Sequence, residues 1–314
     1  MTLFLQAFAQ QFYALLPFFI LIATGYILVK VFKWSSHFTD GLTKFLFNLA
    51  IPVMLFGVMS KFHTQEEMDP LLIFAYFGGS FILFLIEKIY AKYILKLTAQ
   101  EGAVFGLGGI FSNNVMIGIP LIMLFMGSEA IAVSALIISF NALLLWSLVS
   151  FAIEWAEHGS ISLKGFVLTL RGVFKNPIVI GIMLGLLVSF FRVPLPTFAS
   201  STITMFSNMV APLSLLTLGM GLAKYRLGSN LKISLNITFF KLIAHPFIIW
   251  IMAVLLGLPA FETKAIVILG SIATGMNVYL MALKFKVIED ATASSIILTT
   301  VLSAITTPII VVLL

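Results

Sequence analysis

The residues placed to do chemistry in this chain are amides and broken backbone. Ser112-Asn113-Asn114-Val115-Met116-Ile117-Gly118-Ile119-Pro120 lies in the middle of an apolar run from about Gly102 to Met126. Asparagine offers one acceptor and two donors without a charge, and those groups are costly to leave unpaired in hydrocarbon. Pro120 removes a backbone donor and clashes with the preceding turn. A spanning helix tolerates such a break where it is buried in protein or lines a watery cavity. Broken helices near the bilayer midplane build the substrate sites of many secondary transporters. The start of the second half-helix presents N–H groups and partial positive charge, which favour an anion. Carbonyls freed on the other side suit a cation, so an anion site, a sodium site or both are compatible with the motif.

A second polar interruption follows at Ala273-Thr274-Gly275-Met276-Asn277-Val278-Tyr279. For Asn113, Asn114, Asn277 and also Asn141, the competing reading is interhelical hydrogen-bond glue. Tyr279 reads as a packing aromatic or a gate. Lys241 and His245 are four apart and share a helix face. Lys241 lies about nine residues inside a helix end, or roughly 13 Å. It either snorkels to the surface or supplies positive charge to the cavity beside a proton-carrying His245. No catalytic residue, resident cofactor or metal site is expected. There is no His-Glu-x-x-His, Gly-x-Ser-x-Gly or Walker A sequence. Zero cysteines exclude disulfides, thiolate metal sites and thiol catalysis. Glu87 and Glu154 are placed near helix ends, so a carboxylate relay inside the membrane is not expected.

These residues must be positioned by membrane helices. The chain has 314 residues, is 61% hydrophobic and only 10% charged, with mean hydropathy +1.15. A soluble domain is closer to half apolar and a quarter charged. The reading is an all-α polytopic membrane protein with ten spans, α1 to α10, near 11–32, 41–60, 70–91, 101–126, 129–152, 176–193, 196–222, 233–257, 262–284 and 290–313. The polar connector from about Glu154 to Lys175 is the one candidate hinge, no soluble domain is expected, and the start, Met1 to Gln10, lacks the basic residues of a cleavable signal. Fifteen of the eighteen Lys and Arg fall on one side, among them Lys164, Arg171 and Arg226; Lys61, Arg192 and Lys264 fall on the other. The bias puts both termini on the extracytoplasmic side. The net charge of +6 is thereby spent in short loops, and no basic domain exists to hold nucleic acid.

The two halves resemble each other. Asn48-x-x-x-Pro52 and Asn208-x-x-x-Pro212 repeat at an offset of 160 residues, as do Glu129 and Glu289. Asn114 and Asn277 are 163 apart. Each half holds five spans, so residues 1–157 and 158–314 read as inverted five-helix repeats. Both polar interruptions fall near the middle of their spans, so α4 and α9 are expected to be discontinuous and to cross at the midplane.

Asn113-Asn114-Val-Met-Ile-Gly118-Ile-Pro120-Leu resembles the Asn-Thr-x-x-x-Gly-x-Pro-Leu signature of the auxin efflux carrier family, and the resemblance extends over the whole chain. The short central loop makes it similar to the bacterial members, often linked to malonate or malate, and to the short plant-like members. The resemblance implies a fold shared with bile-acid/sodium symporters, a supporting panel, a mobile bundle and elevator-like movement around the α4/α9 crossing. It makes Asn113 the leading substrate contact, matches Pro120 and Pro52 to family prolines, and puts Asn141 where plant members carry a polar glutamine. Asn114 departs from the usual Thr, and α9 lacks the prolines of many members, leaving Gly275 to loosen it.

The resulting expectation is a secondary transporter in the bacterial inner membrane. It moves a small organic anion, a mono- or dicarboxylate such as malonate or malate or an auxin-like weak acid, past Asn113, Asn114, Gly118, Pro120, Asn141, Gly275, Asn277 and Tyr279. Asn48, Pro52, Asn208 and Pro212 support the crossing, Lys241 and His245 serve charge or coupling, and the coupling ion is H+ or Na+. A homodimer in the bilayer is the expected assembly. The alternative is a ligand-binding membrane sensor or regulatory subunit that does not transport.

Overall fold

The computed structural model describes residues 2–62, 69–158, 174–225, 228 and 230–314. His63, Lys164, Arg171 and Arg226 lie outside the described residues, as does most of the expected hinge. The described chain is helical, with one isolated antiparallel bridge between Ser112 and Thr274. Among the described residues, six helices are long and apolar enough to cross a membrane: α1, Thr2–Lys30; α2, Ser36–Met59; α3, Leu71–Tyr93; α7, Thr197–Leu222; α8, Leu231–Leu255; and α10, Glu289–Leu313. The other segments are α4 in two parts, α4a Ala99–Ile110 and α4b Asn114–Met126; α5, Ile131–His158; α6, Pro177–Phe190; and α9 in two parts, α9a Ala260–Ser271 and α9b Asn277–Phe285.

Several boundaries differ from expectation. Helix α1 begins at Thr2, because the uncharged Leu, Phe, Ala and Gln before residue 11 are compatible with continued helix. Helix α5 runs to His158. Helix α6 has only 14 residues, about 21 Å of rise. It starts at an Asn176 cap that accepts from Ile178 N–H, with Pro177 in the first turn, where proline's missing donor costs nothing. Thr98 and Glu101 form a reciprocal capping box on α4a.

Three prolines are preceded by the same distortion. A π-helical turn covers Leu46–Ala50 before Pro52, Asn114–Gly118 before Pro120, and Phe240–Ala244 before Pro246. Widening the turn relieves the clash between the ring and the carbonyl behind it. Pro17, Pro212 and Pro308 lie in unbroken α-helix.

Packing separates two groups of helices. Helix α1 packs on α7, and α2 packs on α6 and α7. Glycine allows these backbones to touch: a Cβ at Gly219 would meet Ile22 O at 1.9 Å, and one at Gly181 would meet Pro52 O at 2.5 Å. The other group is α3, α4, α5, α8, α9 and α10, whose shared core includes Leu83, Phe105, Val133, Ile249, Ile268 and Val311. Between the groups, Leu46, Ile51, Ile119, Ile131 and Val210 form a separate buried cluster.

Candidate functional site

The two interruptions meet. Asn113 N–H donates to Ala273 O at 2.9 Å, and Gly275 N–H donates to Phe111 O at 2.8 Å, pairing the two extended stretches. Thr274 locks the pair from both ends. Its N–H donates to Thr299 Oγ1 of α10 at 3.0 Å, and its hydroxyl donates to Gly108 O at 3.0 Å. Backbone polar groups left open by each break are thus satisfied by the other break, as a buried interruption requires. Gly275 is needed for the approach, since a Cβ there would lie 2.8 Å from the Phe111 ring. Asn113 caps α4b, its Oδ1 accepting from Met116 N–H at 3.2 Å.

A cavity of about 420 Å³ opens beside the crossing. Its polar wall comprises Thr43, Ser112, Asn113, Asn114, Asn141, Asn176, Tyr225 and Asn277, and the rest is apolar, including Phe47, Ile138, Val179 and Leu280. It lies between the two helix groups, with α2, α6 and the end of α7 on one side and α4, α5 and α9 on the other. Asn113 Nδ2, Asn114 Oδ1 and Asn141 Oδ1 are buried and make no hydrogen bond within the chain. Unmet buried polar groups are rare and expensive, and these three border the cavity. Tyr225 sits just beyond α7; burial, with Tyr279 beside it, pushes its phenol up to about 12, so it is a neutral hydroxyl here. A hollow of about 220 Å³ lies elsewhere, among Met54, Lys61, Glu129, Ile203 and Ser207.

Lys241 overturns the snorkelling reading. It is 0% exposed, because the π-turn and Pro246 sit where its side chain turns inward behind the crossing. Its ammonium donates to Gly270 O at 2.5 Å and Ser112 Oγ at 2.8 Å and lies 2.9 Å from His245 Nδ1, which is itself 3.1 Å from Gly270 O. His245 Nε2 lies 2.8 Å from Ser80 Oγ, whose hydroxyl donates to Tyr76 O at 2.7 Å. Tyr76 in turn donates to Ser112 Oγ at 3.2 Å and accepts from Asn114 Nδ2 at 3.3 Å. Lys241 and His245 therefore support the crossing from behind and do not line the cavity.

Glu87 is a second correction. It is 0% exposed rather than near a solvated helix end. It packs on Gly109, where a Cβ would collide with the carboxylate, and it interacts electrostatically with Lys241. The missing side chain at 109 makes the room.

The remaining candidates are dispersed. Gly118 and Pro120 are buried but off the cavity; Gly118 lets α4b approach Leu269 and Ile272 of α9. Tyr279 is half-buried and meets the Tyr225 ring edge-on, centroids 4.8 Å apart. Pro52 is buried against α6, whereas Asn48, Asn208 and Pro212 are exposed and off the cavity. Sequence reasoning gave no role to Tyr76, Ser80, Ser112, Thr274 and Thr299, and took Glu87 for a helix-end carboxylate. The near-continuous run of glycines at 106, 108 and 109 was the available signal that α4a is tightly surrounded.

Residues 11–311 match the family described as Membrane transport protein. The chain is also 26% identical over 302 residues to a protein of Rhizobium meliloti (strain 1021) named "Putative malonate transporter", covering 93% of this chain and 92% of that protein.

Proposed function

We propose a function from one premise: the chain belongs to the membrane transport protein family, the auxin efflux carrier family. It is an integral membrane protein of a transporter family, and on our reading it moves a small carboxylate, malonate or a close relative, through the cavity at the α4/α9 crossing. The observation that carries this is the wall of neutral amides with unmet hydrogen-bonding atoms at Asn113, Asn114 and Asn141. The name of the Rhizobium relative supports the substrate class.

The proposed architecture is ten spans in two inverted repeats. Backbone conformation supports it: positive-φ residues fall at 33 and 192, 96 and 257, and 127 and 286, offsets of 159, 161 and 159. Packing agrees, since α1 on α7 corresponds to α6 on α2, and α3 on α4 corresponds to α8 on α9. In this scheme α1, α2, α6 and α7 are the stationary panel and the other six helices carry the site. The lining residues of α2, α6, α7 and α9b belong to the helix ends on the lysine-rich side, so the conformation is inward-facing. Transport requires the buried cluster around Ile51, Ile119, Ile131 and Val210 to part and the hollow near Lys61 and Glu129 to become the outer path.

The test is malonate uptake into proteoliposomes, paired with thermal stabilisation of the detergent-purified protein by malonate, malate and monocarboxylates, with and without sodium. A ligand at 100 times its Kd stabilises by about 2.7 kcal/mol. Uptake and stabilisation by one carboxylate class, both lost in Asn113→Ala, are expected. Binding without uptake would support the sensor reading instead, and unchanged uptake in Asn113→Ala would refute the site.

A further inference from the structure

We propose that the cavity selects its substrate by charge, accepting singly charged carboxylates and taking a dicarboxylate only as its half-protonated monoanion. The inference rests on the transport reading above and goes further, because it names the ionic form that crosses.

Among the described residues the cavity wall carries no Lys, Arg, His, Asp or Glu. Element by element, the polar groups are Thr43 of α2, Ser112, Asn113 and Asn114 of the α4 break, Asn141 of α5, Asn176 of α6, Tyr225 beyond α7 and Asn277 of α9b. The one titratable member, Tyr225, stays neutral across ordinary pH. The nearby charges lie off the wall: Lys44 and Lys175 are chain neighbours of Thr43 and Asn176 and do not line the cavity. Lys224, next to Tyr225, pairs with Asp40 at 2.6 Å. Lys241 is behind the crossing, its ammonium set among Ser112, Gly270 and His245 with Glu87 as its electrostatic partner, and it does not line the cavity.

What remains for an anion is the backbone. Helices α4b and α9b begin at the cavity, at Asn114 and Asn277. Each helix start carries about half a positive charge, so together they offer about one. That balances one carboxylate. A second carboxylate would be desolvated with no counter-charge, which is costly enough that the group protonates instead.

Hydrogen-bonding capacity points the same way. Asn113 holds Met116 N–H with its oxygen, leaving Nδ2 as an unused donor; Asn114 donates to Tyr76, leaving its oxygen as an unused acceptor. Asn141 Oδ1 is a second unused acceptor. A fully ionised dicarboxylate only accepts hydrogen bonds and satisfies the Asn113 donor alone. The half-protonated form brings an acceptor and an O–H donor and satisfies both kinds.

The experiment measures KM for malonate and for malonamate, its monoamide, in proteoliposomes across external pH values spanning malonate's second ionisation. Malonamate keeps one charge throughout, so the ratio of the two KM values cancels any direct effect of pH on the protein or on coupling. The ratio is expected to rise about tenfold per pH unit above that ionisation, as the monoanion is depleted. In Asn277→Lys, which adds a cation to the wall, the rise is expected to flatten. A ratio that stays flat or falls with pH in the native protein overturns the inference while leaving carboxylate transport intact. A slope unchanged in an Asn277→Lys protein that still carries malonamate overturns its assignment to this cavity. Failure to take up either compound refutes the transport reading itself.

Discussion

Asn113 does two jobs with one amide: its oxygen caps α4b and its nitrogen is free. The two are separable by substitution. Asn113→Asp keeps the capping acceptor but replaces the donor with a negative charge. Its unfolding midpoint is expected to stay near that of the native protein, while carboxylate binding is lost. Asn113→Ala loses the cap as well, about 1 kcal/mol of stability, together with a hydrogen bond to a charged ligand, about 1.5–3 kcal/mol or roughly 10- to 100-fold in Kd. Thermal unfolding and ligand titration of the two variants check this; equal stability of Ala and Asp would remove the capping role. The asparagines were legible in the sequence because a bare amide inside a 25-residue apolar run has few structural excuses. Thr274 and Thr299 were not, because a buried threonine normally bonds its own helix, as Thr299 also does to Ser295 O at 2.7 Å. Nothing in residue type marks the ones that reach across.

At the level of elements, the break in α9 is held by its neighbours. It contains no proline, and the stretch is fixed by pairing with α4, by Thr299 and by Lys241 on Gly270 O. Local sequence could suggest the interruption through Gly275 and Asn277 but could not supply its partners. Lys241 shows the same limit: its depth in α8 was readable, but its direction depended on Glu87 and Gly109, more than 100 residues away in the chain. Two outcomes follow. Lys241→Met leaves the buried Gly270 carbonyl without its donor and removes the electrostatic partner of Glu87, and is expected to cost about 1–3 kcal/mol; Lys241→Met with Glu87→Gln should recover part of that. Detergent unfolding curves decide, and a double variant no more stable than the single one would show that the two charges do not compensate each other. Gly275→Ala would drive a methyl into the Phe111 ring and should reduce uptake more than Gly41→Ala, where open space surrounds the added carbon.

The whole molecule divides along the cavity, and that division is what makes a moving-bundle mechanism testable. The proposed panel is sealed by close glycine contacts, α1 to α7 and α2 to α6, which suit bodies that stay together. Panel and bundle meet at the cavity, at the cluster around Ile119 and Val210, and where α1 packs on α10 beside a second cluster that includes Ile22, Leu218, Leu121 and Ile296. The native chain has no cysteine, so pairs can be introduced without a prior cysteine-free variant. Tyr225 and Tyr279 face each other across the division, centroids 4.8 Å apart. Phe45 of α2 and Phe206 of α7 face each other inside the panel, ring centroids 6.5 Å apart. A short cleavable thiol reagent joining Tyr225→Cys to Tyr279→Cys should stop uptake, and cleaving the reagent should restore it. The same reagent on Phe45→Cys with Phe206→Cys should leave uptake unchanged, because both residues belong to the proposed panel. If the cross-division link leaves transport intact, the panel and bundle do not move relative to each other at that point, and the substrate must pass by local gating around the Tyr225–Tyr279 pair.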